Sequence, residues 1–221
     1  MARSTSSFRM LPRPWDPSAL HSGETKTGHF TCGCCGLATA GRSFFWNNDR
    51  RGSGRVCAVC DILQNLTRPA IECEAVLVWW PEFPQTRIMT LTRCAHQTLI
   101  GALGDDGASR DTAWHRIIDA IAAGADAGMI PMRCQPSVSV LRALHARSGE
   151  ARRRLETTSP RQLATALLMA NRSEPQTEAS IAGLLEGLRI LPLGRLYDGA
   201  TDIYPALLRE WTGAVPSHST L

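Results

Sequence analysis

Apolar side chains recur every three or four residues over much of the chain, which is the period of helices with one buried face. The clearest run contains Ile88, Leu91, Ala95 and Leu99, and Gly104 follows it as a stop signal. The pattern predicts six helices. Four are predicted over residues 88–103, 138–147, 177–188 and 202–211. Another runs from a cap at Asp111 to an end at Gly128, and another from a cap at Ser159, with Pro160 as its first residue, to residue 171.

Two stretches have the composition of strands. Residues 74–80 form an apolar, β-rich run that a proline ends, which is typical of a buried strand. Residues 43–46 predict another strand, followed by a loop over 47–54. Trp79 and Trp80 are adjacent on the first of these strands, so their side chains must face opposite ways. We expect one tryptophan to enter the core and the other to mark a surface for a partner.

These elements predict an α+β fold that is mainly helical, with a small cysteine module embedded in a helical body. The first residues have no sustained period and several turn formers, which favours a mobile arm. The expected division is a flexible arm over residues 1–28, the module with its following strand over 29–80, the helical body over 81–213 and a flexible tail over 214–221.

Composition describes an ordinary globular chain. It has 221 residues, of which 43% are hydrophobic and 20% charged, with a net charge of +4. Lys26 is the only lysine, and abundant arginine beside abundant alanine is typical of codon bias, so arginine clusters say little about nucleic acid. No apolar leader opens the chain, and no run approaches the roughly 20 apolar residues of a membrane span. We therefore expect a reducing, cytoplasmic location.

Four cysteines form two Cys-x-x-Cys pairs, Cys32 with Cys35 and Cys57 with Cys60. Such a turn presents two sulfurs on one side of a tight loop, and two turns complete a tetrahedral zinc shell. Residues 36–56 make a slightly long intervening loop, but lengthening a flexible loop costs little entropy. The alternatives are unrelated thiols or disulfides, and a reducing compartment argues against disulfides. We predict one structural Zn²⁺ held by four thiolates.

The first knuckle, the predicted hairpin and a helix starting at the second knuckle together outline a treble clef. Cys34 lies inside the first knuckle, so a register with Cys34 in place of Cys35 stays open. The remaining cysteines, Cys73, Cys94 and Cys134, are expected to pack as small buried hydrophobes.

A four-cysteine treble clef is also the scaffold of HNH endonucleases, which need a hairpin histidine to activate water beside a catalytic metal. No histidine lies between the two cysteine pairs, and Asp61 stands where these enzymes commonly carry one. His29 is expected to be a surface residue rather than a spare ligand. A weak metal site without a general base would remain at Asn47, Asn48 and Asp49. We therefore predict that the chain has no nuclease activity.

A basic run contains Arg147, Arg152, Arg153 and Arg154, with Arg142 upstream. Such a run could bind phosphate or an acidic partner. No aromatic residues are interleaved with it in the sequence, which favours a solvated helical face over a nucleic-acid groove.

Several segments in order resemble the IcmJ (DotN) proteins of type IVB secretion systems. The segments are VCAVCDILQNL, VLVWWPEFPQTRIMTLTRCAHQTLIGAL, VLRALHARSGEARRRLETTSPRQLATALL and LLEGLRILPLGRLYDGATDIYPALLREW. The resemblance covers roughly residues 30–211. It includes a strand followed by a Pro-Glu pair and a helix-opening glutamine, and a late Arg-x-Leu-Pro. The matching residues here are Pro81, Glu82, Gln85, Arg189, Leu191 and Pro192.

The resemblance implies an HNH-like zinc fold without nuclease function, and a protein that is not an enzyme. It implies a cytoplasmic adaptor of the coupling complex, peripheral to the inner membrane, that binds the C-terminal region of the coupling ATPase and helps to recruit substrates for export. The zinc ligands would be Cys32, Cys35, Cys57 and Cys60. The alternative is a zinc-dependent nucleic-acid-binding protein, either a CRISPR effector subunit or a degenerate HNH nuclease.

Overall fold

The computed structural model describes residues 28–48, 52–104, 107–170 and 185–213. Asp49, the predicted tail, nearly all of the predicted arm and most of the helix predicted over 177–188 lie outside these ranges. The strands are β1 (Phe30–Thr31), β2 (Ala38–Thr39), β3 (Ser43–Asn48), β4 (Gly52–Cys57), β5 (Ala75–Trp79), β6 (Leu188–Pro192), β7 (Tyr197–Asp198) and β8 (Thr201–Asp202). The helices are α1 (Ala58–Asp61), α2 (Ile71–Glu74), α3 (Gln85–Ala102), α4 (Gly107–Ala122), α5 (Gln135–Ala146), α6 (Ser148–Leu155), α7 (Pro160–Ala170) and α8 (Tyr204–Gly213).

Within these ranges the protein is a mixture of helices and small sheets. Consecutive strands pair as four two-stranded antiparallel sheets. Of these pairs, β5 and β6 are the furthest apart in the sequence. The expectation of helices combined with little sheet is confirmed at this level. Among the helices that the structure describes, none combines the length and the apolar character needed to cross a bilayer.

β3 and β4 form a hairpin whose ladder runs from Ser43 opposite Cys57 to Asn48 opposite Gly52. The strand predicted over 43–46 is confirmed. The loop predicted over 47–54 is wrong for residues 47–48 and 52–54, because these residues belong to the ladder of the hairpin. Asparagine and glycine have low strand propensity, but pairing in a fixed register overrides it.

The second important sheet joins β5 to β6, with Trp79 opposite Leu188. It confirms the strand predicted over 74–80 except at its two ends, because Glu74 belongs to α2 and Trp80 follows the strand. The helix predicted to reach Leu188 is wrong at its end, because Leu188 begins β6. A short apolar run cannot be assigned to strand or helix by periodicity alone, and its pairing partner lies far upstream in the sequence.

Gln85, the first residue of α3, attaches this helix to β6. Its Nε2 donates to the carbonyl of Ile190 at 2.7 Å, and its Oε1 accepts from the N–H of Ile190 at 2.8 Å. Arg189 adds a hydrogen bond from Nε to the carbonyl of Phe83 at 2.6 Å. The start of α3 and the strand β6 therefore form one hydrogen-bonded unit.

Both ends of α4 differ from the prediction. Asp111 lies inside α4 instead of capping it, and its Oδ1 accepts from Arg209 Nη1 at 2.7 Å. The helix ends before Gly124, which has a φ of +64°, rather than at Gly128. The N–H groups of Gly124 and of the following residue turn back onto carbonyls of the last turn, which is a Schellman end.

The other helix predictions are largely confirmed. The helices predicted over 88–103 and 138–147 are α3 and α5, each beginning a few residues earlier. Ser159 caps α7 as predicted, because its Oγ accepts from the N–H of Gln162 at 3.0 Å. The last helix begins at Tyr204 and not at residue 202. Asp202 belongs to β8 and caps this helix instead, accepting from the N–H of Tyr204 at 3.0 Å.

One apolar core runs from the cysteine segment to the last helix. Its members include the buried cysteines together with Leu63, Trp114, Tyr204 and Trp211. A smaller cluster packs on β5 and β6 and consists of Val76, Val78, Ile88, Leu144 and Leu191. The cysteine segment and the helices thus share buried surface.

A buried ion pair joins Arg68 to Glu74. Arg68 Nε lies 2.8 Å from Glu74 Oε2, and the two side chains are 7% and 0% exposed. Both also bind the backbone of Tyr197: Arg68 Nη2 donates to its carbonyl at 2.7 Å, and Glu74 Oε1 accepts from its N–H at 2.7 Å. Burial raises the pKa of Glu74, and the charge of Arg68 opposes this shift. The pair therefore ties α2 to β7.

His96 lies in a buried aromatic cluster. Its Nδ1 is 2.8 Å from the hydroxyl of Tyr204, and the rings of Trp114 and Tyr204 meet it edge-on with centroids 5.4 Å away. Trp114 Nε1 donates to the carbonyl of Gly194 at 3.2 Å. Burial lowers the pKa of His96 to about 3, so the imidazole is neutral in the folded protein at pH 7.

This histidine is expected to make the folded state acid-sensitive. The pKa of His96 in the folded protein is about 3, below the unfolded value of about 6.5. Above about pH 6.5 the histidine is neutral in both states, so the free energy of unfolding is at its full value. As the pH falls towards 3, the unfolded state takes up a proton that the folded state does not, and this free energy decreases. By linkage, His96 alone lowers the free energy of unfolding by about 1.4 kcal/mol at about pH 5.5.

Urea unfolding of the parent protein and of His96→Gln at about pH 8 and pH 5.5 measures this contribution. His96→Gln is expected to lose about 1.4 kcal/mol less than the parent between the two pH values. Trp114→Phe is the control, because it disturbs the same cluster but keeps the histidine and the parent's pH dependence. If the free energy of unfolding depends on pH equally in the parent and in His96→Gln, His96 is not the source of the acid sensitivity.

Candidate metal site

The first cysteine pair lies in a tight turn between β1 and β2. The N–H of Cys32 donates to the carbonyl of Leu37 at 2.8 Å, and the N–H of Gly36 donates to the carbonyl of Cys32 at 2.9 Å. Gly36 has a φ of +71°, which favours glycine at this position. The N–H of Cys35 points at Cys32 Sγ at 3.5 Å. The turn therefore presents two sulfurs on the same side.

The second pair lies where β4 passes into α1. Cys57 is the last residue of the strand, and Cys60 lies in the helix. The N–H of Gly33 donates to the carbonyl of Arg55 at 2.9 Å, which fixes the first turn against β4. The N–H of Cys57 donates to Cys32 Sγ at 3.4 Å. These contacts place the two pairs next to each other.

The four sulfurs of Cys32, Cys35, Cys57 and Cys60 all lie within 4.8 Å of one another, and all four residues are buried. Cys35 Sγ and Cys57 Sγ are 3.8 Å apart. The set could hold one metal ion. It contains Cys35 and not Cys34, which favours the register with Cys35.

Clustering changes the acidity of these thiols in opposite directions. The pKa of Cys32 is lowered, chiefly because Cys35 donates a hydrogen bond to its sulfur, with Cys57 and Cys60 adding to the effect. The pKa values of Cys57 and Cys60 are raised well above the ordinary value, chiefly through their hydrogen bonds with Cys32. The pKa of Cys35 is lowered as well, because its hydrogen bond with Cys32 raises it but those with Cys57 and Cys60 together lower it more. The first cysteine pair thus carries negative charge more readily than the second. Four thiolates in this space require a cation.

Helix α3 supports the first turn from outside. Thr90 Oγ1 donates to the carbonyl of Cys35 at 3.0 Å, and Arg93 Nη2 donates to the same oxygen at 3.3 Å. Arg93 Nη1 also donates to Gln97 Oε1 at 2.7 Å. The sequence did not indicate these two supporting residues, because α3 lies far along the chain from the turn.

Of the residues considered for nuclease chemistry, the structure describes His29, Asp61 and the backbone of Asn47 and Asn48. His29 is exposed, as predicted, and is not part of the four-sulfur group. Asp61 is buried, and its carboxylate accepts hydrogen bonds from Gln64 at 3.2 Å and from Asn65 at 2.8 Å. Asn47 and Asn48 lie in the ladder of β3. The carboxylate of Asp61 therefore stabilises the end of α1 through local hydrogen bonds.

The other cysteines are only partly as predicted. Cys134 is buried, but Cys73 and Cys94 are exposed, so the expectation that they pack in the core is wrong. Cys94 lies on α3 beside buried positions such as Ala95 and His96, and its face of the helix points outward. Residue type alone does not show whether a lone cysteine is buried, because on a helix this depends on which face the residue occupies.

The two tryptophans and the basic run meet in space. The guanidinium carbon of Arg154 lies 4.2 Å from the ring centroid of Trp79, and that of Arg147 lies 4.8 Å from the ring centroid of Trp80. Phe83 lies against Trp80 with centroids 4.3 Å apart. We call these five residues the Arg–Trp face. The sequence showed no aromatic residues among the arginines, but the fold places them there.

The opposite orientation of the tryptophans agrees with their packing. Trp79 packs against the main core and Trp80 against the smaller cluster. Both are half-buried, so neither ring is fully enclosed in the core. That one of them marks a surface for a partner stays a prediction.

A shallow groove lies beside α4, and its described lining includes Leu103, Arg110, Arg116 and Met129. None of the described lining residues is a histidine, a cysteine or a carboxylate. The groove therefore brings together no acid–base pair from the described part of the chain.

Comparison with known proteins adds no assignment, because the sequence matches no family profile and no curated protein.

Proposed function

We propose that the four cysteines bind one structural Zn²⁺. A zinc–thiolate bond of about 2.3 Å places the sulfurs of a regular tetrahedron about 3.8 Å apart. Cys35 Sγ and Cys57 Sγ are separated by 3.8 Å. A disulfide needs about 2.05 Å, so this spacing supports coordination rather than oxidation. With four protein ligands, zinc would have no open position for substrate.

The order of elements around the sulfurs supports a treble-clef, HNH-like assignment for this segment. A knuckle between β1 and β2 is followed by the β3–β4 hairpin, and α1 begins at the second knuckle. The helix is short and passes into a 3₁₀ turn at Ile62–Gln64. Zinc would then hold together a segment whose buried residues join the main core.

We further propose that the protein is a non-enzymatic adaptor of a type IVB secretion coupling complex and binds the C-terminal region of its coupling ATPase. The observation that supports this proposal most is the convergence of two separate parts of the sequence resemblance. Gln85, from the segment after β5, pairs with Ile190 through two hydrogen bonds. Arg189, from the late Arg-x-Leu-Pro, binds Phe83 and Pro81. Residues that carry the resemblance therefore serve one structural unit.

The described candidates for nuclease chemistry have structural surroundings. Asn47 and Asn48 lie in a strand ladder, and Asp61 accepts local hydrogen bonds at the end of α1. The described histidines lie outside the four-sulfur group.

Co-expression with a tagged C-terminal region of the coupling ATPase from the same genome tests the adaptor function. We expect the full chain to co-purify with this region at a fixed ratio and with one zinc per chain by elemental analysis. A tag fused to a scrambled version of the same region is the control. Equal recovery with the scrambled sequence would contradict the adaptor function.

The same preparation tests the alternative. Cleavage of DNA on addition of a divalent metal, or tight DNA binding that weakens steeply with salt, would favour a nucleic-acid role. We expect neither result.

A further inference from the structure

The Arg–Trp face presents guanidinium groups whose positions are fixed by stacking. Arg147 and Arg154 are exposed, yet each lies over an indole ring, at 4.8 and 4.2 Å respectively. A stacked arginine keeps the donors at its edge available for a planar anion, and it loses less freedom on binding than an unrestrained side chain. The face is therefore arranged to receive carboxylate or phosphate groups.

Helix α6 adds further positive charge next to this face. α6 contributes Arg152, Arg153 and Arg154, all exposed, and Arg147 directly precedes this helix. Glu150 is the single acid on α6, and it pairs with both Arg153 and Arg154. The hydrogen bond from Arg154 lowers the pKa of Glu150. A carboxylate of the chain itself thus already occupies one edge of this basic surface and shows which ligand chemistry it accepts.

The aromatic rings themselves are not free to stack with bases. Gly187 packs so closely on Trp79 that an added Cβ would lie 2.9 Å from Cζ2 of the ring. Phe83 lies against Trp80 on one side, and Arg147 covers the ring as well. Single-stranded nucleic acid is usually bound by open aromatic faces. Here the exposed groups are the guanidinium groups of the arginines, so a peptide with carboxylates is a better ligand than a nucleic acid that needs open rings.

We propose that the Arg–Trp face binds an acidic peptide segment of a protein partner. The inference rests on the proposed adaptor function, because it gives that function a surface and a ligand class. Carboxylates of the segment bind the guanidinium groups of Arg147 and Arg154, which the indole rings hold in place. Glu150 competes with the segment for Arg154.

Fluorescence polarisation with a labelled poly-L-glutamate peptide tests the surface directly. We expect the parent protein to bind it, and Arg147→Ala/Arg154→Ala to bind about tenfold more weakly. Arg116→Ala/Arg142→Ala is the matched control, since it removes the same charge from exposed arginines on α4 and α5. Among the described residues, these two arginines donate to the backbone carbonyls of Met129 and Ala125. Equal weakening by both double variants would overturn the proposal, because net charge alone would explain the binding.

Trp80→Leu separates stacking from charge. It keeps every arginine but removes the ring under Arg147, and we expect weaker binding of poly-L-glutamate without a change of net charge. Binding equal to that of the parent would overturn the role of stacking. Oligothymidylate of matched charge is the second probe, and tighter binding of this probe than of the peptide would overturn the peptide assignment. Thermal unfolding by circular dichroism verifies that each variant is folded.

Capture of the ATPase region distinguishes the two proposals. If the parent captures that region and Arg147→Ala/Arg154→Ala captures it equally well, the face is wrong and the adaptor function stands. If the parent fails to capture it but binds poly-L-glutamate through the face, the adaptor assignment is wrong and the acidic-peptide surface stands.

Discussion

Cys57→Ser is expected to abolish metal binding and cooperative folding together. Cys57 is 1% exposed, and its sulfur is 3.8 Å from that of Cys35. Structural zinc supplies about 10–16 kcal/mol of apparent folding free energy in small zinc modules. A domain of this size has a total stability of only about 5–15 kcal/mol. The cysteine segment shares the main core with the helices, so its loss is expected to affect the whole fold.

Elemental analysis of the purified protein and thermal unfolding by circular dichroism measure the two effects. We expect one zinc per chain in the parent, none in Cys57→Ser, and no cooperative transition in the variant. Cys94→Ser makes the same chemical change at an exposed thiol and should leave zinc content and melting unchanged. A zinc-free parent together with a folded Cys57→Ser protein would refute the structural metal.

Breaking the buried ion pair at Arg68 and Glu74 is expected to have the next largest effect. Arg68→Met leaves the Glu74 carboxylate buried without its partner, and Glu74→Leu leaves the guanidinium in the same condition. Removing one member of a buried pair typically costs about 3–5 kcal/mol. Each change also removes a hydrogen bond to Tyr197, which loosens β7.

Urea unfolding of the two single variants and of Arg68→Met/Glu74→Leu measures the coupling. The double variant leaves no unpaired charge, so its loss is expected to be smaller than the sum of the single losses. Asp119→Asn is the control at an exposed pair, because Asp119 is 61% exposed where it meets Arg195, and its loss should be below about 1 kcal/mol. Strict additivity of the Arg68 and Glu74 losses would show that the pair is not coupled.

The sequence predicted those features that depend on local spacing. The closeness of the two sulfurs within each cysteine pair follows from a short turn, and the cap at Ser159 follows from residues next to it in the chain. The helices with the clearest apolar period were placed within a few residues of their ends. These predictions succeeded because short-range geometry decides them.

Features that depend on distant parts of the chain were missed. β6 is a strand because β5 lies beside it, and the Arg–Trp face exists because α6 packs against β5. Asp111 has good capping chemistry but pairs with Arg209 on the last helix. In each case a tertiary partner decided the outcome, and spacing along the sequence carries no information about that partner.

The hydrogen bonds around β5 and β6 limit how a partner can attach. On β5, Leu77 and Trp79 donate their outward N–H groups to the carbonyls of Thr158 and Arg147. On β6, the side-chain amide of Gln85 takes both backbone groups of Ile190, and Pro192 has no N–H. Both edges of this sheet are therefore blocked against strand addition, by a peptide or by a second copy of the chain. A ligand that reaches this region has to be recognised through side chains.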